Sequence, residues 1–228
     1  MSVSTVHAVY FSGTGTTEKT VRRIARRLAD KLGAAYAEYS YTLPDARKRE
    51  LTVPAGDLAV VGCPTYAGRV PNLLMPYLRD MVHGAGALAV PVALFGNRNY
   101  DDALMELSKL LTADGFTCVA GAAFVGEHSF SCTLGAGRPN DADMAEMDDF
   151  SRALAEKVRA LSAAPAEPVS VRGEEPIRPY YTPRDRAGKP QHGDRSSLRA
   201  GLLRLCGLGF QQFTRLRHRT RRRRSQPA

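Results

Sequence analysis

The 228-residue chain has no tryptophan and only four cysteines, at positions 63, 118, 132 and 206. Their spacing matches neither a metal site nor a disulfide framework. That favours a reducing compartment, so the expected location is cytoplasmic. No stretch of about 18 apolar residues is present, which argues against a membrane-spanning helix. The start of the chain lacks a basic region followed by an apolar stretch, so no secretory leader is expected. No internal repeat is visible. Acidic residues are missing from one region. Ten of the 32 basic residues lie from Arg195 onward with no acid among them, leaving 22 bases against 23 acids in the rest. The net charge of +9 therefore belongs to the tail, and the body is near neutral.

The chain is organised around the loop Ser12-Gly13-Thr14-Gly15-Thr16-Thr17. Val6–Phe11 precedes it, rich in β-branched and aromatic residues, and reads as a buried strand. After it, Val21, Ile24, Ala25, Leu28 and Leu32 recur at helical spacing. The loop is thus a strand-to-helix turn with unpaired N–H groups at the positive end of a helix dipole. A phosphate fits such a place. Ser12, Thr14, Thr16 and Thr17 add four hydroxyl donors, and Gly13 and Gly15 permit close backbone approach. No Gly-Lys-Ser/Thr ends the loop, so it is not a P-loop. Glu18 stands where a dinucleotide fingerprint needs its third glycine. The plain alternative is a turn capped by Ser and Thr.

Strands and helices then alternate. Strands are expected at 35–39, 57–63, 89–95 and 117–125, and helices at 71–82, 100–112 and 140–161. Asn140 is the expected N-cap of the last helix, with Asp143 at N3. The stretch 45–51 reads as a polar connection with some helical character. Such alternation implies α/β architecture: a doubly wound five-stranded parallel sheet with helices on both faces. Ligands of such sheets bind beyond the carboxyl ends of the strands, at the switch point. The loops there are Pro64-Thr65-Tyr66-Ala67-Gly68-Arg69 and Gly96-Asn97-Arg98-Asn99-Tyr100-Asp101. Tyr66 and Tyr100 are either lids over strand ends or stacking faces for a flat heteroaromatic ring.

Ser-x-Thr-Gly-x-Thr after the first strand resembles the FMN-phosphate loop of flavodoxins, and the two later loops resemble their flavin-ring loops. More narrowly, residues 64–71, 96–104, Glu127-His128-Ser129 and Gly137-Arg138-Pro139 resemble a family in which a flavodoxin-like domain is fused to a bacterial-type ferredoxin. The likeness runs from about residue 6 to Pro190. It implies strand order 2-1-3-4-5, FMN as cofactor, and a redox partner protein, either a ferredoxin or a reductase. It places the phosphate at Ser12 to Thr17 and the isoalloxazine at Pro64 to Arg69 and Gly96 to Asp101. No catalytic residue and no metal ligand is implied. His128 and Arg138 match family positions without an assigned role.

The likeness stops after Pro190. Residues 1–162 read as the FMN-binding domain, 163–194 as a Pro-rich linker, and 195–228 as an Arg-rich tail, disordered or partly helical. The Cys-x-x-Cys-x-x-Cys runs that Fe–S clusters require are absent. Electron transfer is the expected function. A NAD(P)H-dependent flavin or quinone reductase (an oxidoreductase in the strict sense) is the second reading. A third has the tail binding an anionic membrane or nucleic acid phosphates. Arg69 and Arg98 either face the reduced ring, or point to water or pair with Asp101 and Asp102.

Overall fold

The computed structural model describes residues 1–182, 187, 189 and 190. In chain order the elements are β1 (Thr5–Tyr10), α1 (Thr16–Leu32), β2 (Ala35–Ser40), β3 (Leu51–Thr52) and β4 (Leu58–Pro64). They continue with α2 (Met75–Asp80), β5 (Val82–His83), β6 (Leu88–Phe95), α3 (Ala103–Ala113), β7 (Thr117–Cys118), β8 (Ala122–Val125) and α4 (Asp141–Ala160). Short 3-10 turns occupy Ala46–Lys48 and Asn72–Leu74. Two compact units divide the chain. The first, Met1–His128 with Leu134–Tyr181, contains every element above. The second includes Ser129–Thr133, where the Ser131 and Thr133 hydroxyls lie 3.2 Å apart.

The main sheet is parallel throughout, in the order β2-β1-β4-β6, with β7 and β8 both on the outer side of β6. Numbering the principal strands alone, that is 2-1-3-4-5, the flavodoxin-like order. Side-chain alternation feeds a core on each face. Val6, Ala8, Tyr10, Val60, Val90 and Val92 pack against Val21, Ile24 and Leu28 of α1 and Met147, Leu154 and Val158 of α4. On the other face Val9, Ala59, Val61 and Ala89 meet Tyr77 and Leu78 of α2 and Leu107 and Leu111 of α3. Asn140 caps α4 as its spacing predicts. Its side chain accepts from Ala142 and Asp143 N–H, while the Asp143 carboxylate accepts from Asn140 N–H.

The sheets correct the sequence reading at two points. The fifth strand is in two pieces. Between Ala89 and Val92 the partner advances from Cys118 to Ala122, one residue more than its neighbour. On this side the carbonyls of Ala87, just before β6, and of Ala89 and Phe95 accept from Thr117, Val119 and Gly126. Pro91 falls on the same side and has no N–H to continue the ladder. A second sheet, β3 with β5, is also present. Its two-residue strands are too short to show a periodicity. Residues 163–181 belong to the first unit. Val169 N–H donates to the Cys118 carbonyl at 2.8 Å, covering the sheet edge. The Arg-rich tail, 195–228, lies outside the described residues. Among the described residues no helix is long and apolar enough to cross a membrane.

Gly62 of β4 lies directly beneath Val21 and Thr17 of α1, and a methyl group there would collide with Val21. Gly62→Ala should therefore destabilise the fold by about 1–3 kcal/mol through overpacking, read as a lowered urea midpoint. Burial also raises the Asp114 carboxyl to about 6, against the opposing pull of His83. That exceeds the roughly 3.9 of an unfolded chain, so Asp114 supports the fold below about pH 4 and loses that support as pH rises through about 6. Asp114→Asn should raise the Tm at pH 7.5 and leave it nearly unchanged at pH 4, by calorimetry.

Candidate functional site

The chain switches direction across the sheet between β1 and β4, and the loops following these strands flank that crevice. The first loop, 12–17, runs into α1. Its N-cap is Gly15, at φ 93°, and no N-cap side chain satisfies the helix. Ser12 does part of that work from a distance. Its Oγ accepts from the N–H groups of Gly15 and Glu18, each at 3.1 Å. Thr42 Oγ1 in turn accepts from Ser12 N–H at 2.9 Å and holds the loop against the end of β2. The N–H groups of Gly13, Thr14, Thr16 and Thr17 have no partner among the described residues. Thr14 and Thr16 bring their hydroxyls to 3.4 Å of one another, whereas Thr17 is buried against Gly62. Such a helix end suits an anion. The nearby lysine, Lys19, is engaged elsewhere, donating to the Pro139 carbonyl at 2.9 Å.

The second loop follows β4. Pro64 ends the strand, and Thr65 N–H donates to the Leu94 carbonyl of β6 at 2.7 Å. Tyr66 to Arg69 is a tight turn with reciprocal bonds, Tyr66 N–H to Arg69 O at 2.9 Å and Arg69 N–H to Tyr66 O at 3.1 Å. Ala67 and Gly68 both have positive φ, 50° and 82°, as a type I′ turn demands. Glu106, buried on α3, fixes this turn from behind. It pairs with the Arg69 guanidinium and accepts from Val70 N–H at 3.0 Å. The Arg69 side chain is thus bound by Glu106 and not by Asp101 or Asp102. The Tyr66 side chain is 42% exposed and reaches back toward the first loop. A side chain added at Gly13 would begin 3.5 Å from the Tyr66 hydroxyl.

The third loop follows β6. Asn97 and Asp101 take positive φ, 56° and 46°, and Asn99 Oδ1 accepts from Asp101 N–H at 3.1 Å. Asp102 N–H donates to the Gly68 carbonyl at 3.1 Å, joining the second and third loops. The Arg98 guanidinium stands 4.8 Å from the Tyr181 ring centre and 3.9 Å from Asp101. Tyr100 is half-buried, packing on Phe95 at 5.4 Å between ring centres. Gly96 has no room for a side chain, because the His128 ring lies 2.5 Å from where one would start. Gly126 and His128 thus lie beside the first and third loops, Gly126 facing Thr16 and His128 against Gly96. Arg138, just before α4, pairs with Asp143 of that helix. Among the described residues no group of three or more His, Cys, Asp or Glu could hold a metal ion.

The loops expected from the sequence, 12–17, 64–69 and 96–101, converge at the same edge of the sheet. Sequence reasoning missed Glu106. The signal was a carboxylate on the buried stripe of α3, between Leu104 and Leu107. It also missed the use of Arg178, which no local pattern marks. The chain matches no family model and no curated protein. Solved structures do resemble it. A flavodoxin from the domain Archaea is 16% identical, covering 68% of this chain and 99% of its own, with TM-score 0.49. The flavodoxin of Streptococcus pneumoniae TIGR4 is 21% identical over 68% and 99%, with TM-score 0.47. An apo NADH:FMN oxidoreductase is 14% identical over 86% and 99%, with TM-score 0.49. At these values the likeness concerns the fold alone.

The Glu106–Arg69 pair is buried, so removing one partner strands a charge. Glu106→Ala should cost about 3 kcal/mol, and the double variant Glu106→Ala/Arg69→Met should recover part of that loss, as read from urea unfolding.

Proposed function

We propose that the chain binds FMN non-covalently at the switch point and serves as an electron-transfer flavoprotein. The observation that carries this reading is the start of α1, where the N–H groups of Gly13, Thr14, Thr16 and Thr17 have no partner among the described residues, facing a loop whose Tyr66 reaches across to Gly13. The residues present fit the group. Open space lies around Gly15, where a side chain would meet nothing within 4 Å. The Thr65 hydroxyl is buried with no hydrogen-bond partner among the described residues. Ser12, Gly13, Thr14, Gly15, Thr16 and Thr17 would hold the phosphate. Pro64, Thr65, Tyr66, Ala67, Gly68 and Arg69, with Gly96, Asn97, Arg98, Asn99, Tyr100 and Asp101, would hold the ring. For Arg69 that means its backbone, because Glu106 binds its guanidinium.

FMN, when bound, supplies one- and two-electron redox chemistry that no side chain here supplies. The chain's own task is to bind and orient it. The first loop offers neutral donors, not a lysine, so recognition of the phosphate rests on N–H and O–H groups aligned by the helix. Tyr66 stands between the first two loops, its hydroxyl toward Gly13, and offers a face for the ring. A ferredoxin or a reductase is the partner class this reading implies. The closer kinship with flavodoxin–ferredoxin fusions is supported by sequence motifs such as Gly137-Arg138-Pro139 alone.

FMN should bind the purified full-length protein far more tightly than riboflavin does, because the first loop contacts only phosphate. Thr14→Val should weaken FMN by roughly 1.5–3 kcal/mol and leave riboflavin unchanged. Flavin fluorescence titration measures both, and equal affinity for FMN and riboflavin would sink the assignment. The loaded protein should not oxidise NAD(P)H without an added reductase; rapid oxidation would favour a flavin or quinone reductase.

A further inference from the structure

The stretch after α4 follows the sheet edge and α3 to the second and third loops. Val171 packs on Gly121, Gly173 packs on Met105, and Glu175 pairs with Lys109. Its last part then grips both loops. Asp102, its side chain 1% exposed, accepts three bonds from it: Glu174 N–H at 2.9 Å, Arg178 N–H at 3.0 Å and Arg178 Nε at 2.9 Å. Arg178 Nη1 donates to Asp101 and to the Tyr181 hydroxyl, each at 3.0 Å. On the second loop, Tyr181 N–H donates to the Ala67 carbonyl at 3.1 Å and the Tyr180 hydroxyl to the Val70 carbonyl at 2.7 Å. The Arg69 guanidinium lies 4.5 Å from the Tyr180 ring centre. A side chain at Gly68 would begin 2.9 Å from both Asp101 and the Tyr181 ring.

Two features make this more than a linker resting on a surface. Asp101 and Asp102 are adjacent buried carboxylates, and a nearby cation offsets the repulsion of side-by-side negative charges. Arg178 is within 3.0 Å of both, whereas Arg98 is 3.9 Å from Asp101. The loops it joins also contain the positive-φ residues Ala67, Asn97 and Asp101. Such backbone persists only where its surroundings over-determine it. Every bond of the grip falls on the second and third loops or on α3, and none on residues 12–17.

We propose that residues 174–181 form a clamp on the two ring loops, with Arg178 as a positioning residue and Tyr180–Tyr181 as the third wall of the site. This rests on the FMN reading above. The clamp sets how well the ring is held and leaves the phosphate end untouched.

The test uses the full-length protein. Arg178→Gln should weaken FMN at least tenfold while competition by inorganic phosphate, which probes the first loop, changes less than twofold. The visible circular dichroism of bound FMN should change as well, because the ring's surroundings change. In the flavin-free protein, amide hydrogen exchange at 66–70 and 98–102 should accelerate at least tenfold, with β1 and α1 unaffected. Should Arg178→Gln not fold, Tyr181→Ala, at a side chain 45% exposed, must by itself weaken FMN at least threefold. Wild-type FMN binding with unchanged affinity and spectrum in the variants overturns the clamp alone. Failure of the wild type to bind FMN overturns the site reading and the clamp with it.

Discussion

The missing side chain at Gly62 sets the distance between α1 and the sheet. Val21 and Thr17 occupy the space that any larger residue would need, and both lie in the first two turns of the helix. The contact therefore seats the helix end in particular. That end carries the N–H groups of Thr16 and Thr17, beside the open space around Gly15. An anion site made from backbone is only as well placed as the helix that presents it. Here a strand glycine in the middle of the sheet does the placing, several residues from any group that could touch a ligand.

The loops around this helix end are held by a repeated device. Three buried carboxylates each bind one arginine from a loop: Glu106 with Arg69, Asp102 with Arg178, and Asp143 with Arg138. Each carboxylate also accepts backbone N–H groups of the segment it secures, from Val70, from Glu174 and Arg178, and from Asn140. Burial alone would raise the Asp102 carboxyl, but the N–H groups of Arg178 and Glu174 and the Arg178 guanidinium outweigh it and hold it below its ordinary value. Buried ion pairs contribute little net stability because desolvation offsets the attraction. Their effect here is geometric. Each pair admits one arrangement of a loop that would otherwise have many.

The elements were legible wherever the chain repeats a local period. The β-branched and aromatic run of β1 and the helical spacing in α1 gave their positions within a residue or two, and Asn140 with Asp143 marked the start of α4. The loop 12–17 was legible because a hydroxyl-rich, glycine-containing turn between strand and helix has few other uses. The break in the fifth strand was not legible, although Pro91, which lies opposite it, is in plain sight. The proline sits in the neighbouring strand, and its missing N–H matters only once β6 and β7 are paired. Residues 163–181 carried a linker's composition, yet they cover a sheet edge and reach two loops. Composition reports average solvation and says nothing of a few long-range bonds.

The arginines mark the boundary most clearly. From the sequence, Arg69 and Arg98 had Asp101 and Asp102 as their nearest plausible acids. In the fold Arg98 does meet Asp101, at 3.9 Å, but Arg69 is bound by Glu106, 37 positions away, and the closer partner of Asp101 and Asp102 is Arg178, 77 and 76 positions away. The sequence by itself determined the principal strands, the long helices and the edge of the sheet where the candidate site lies, because backbone spacing converts residue period directly into which face is buried. Only the tertiary structure decided which charge meets which. That choice depends on where distant loops return in space, and no local repeat records it.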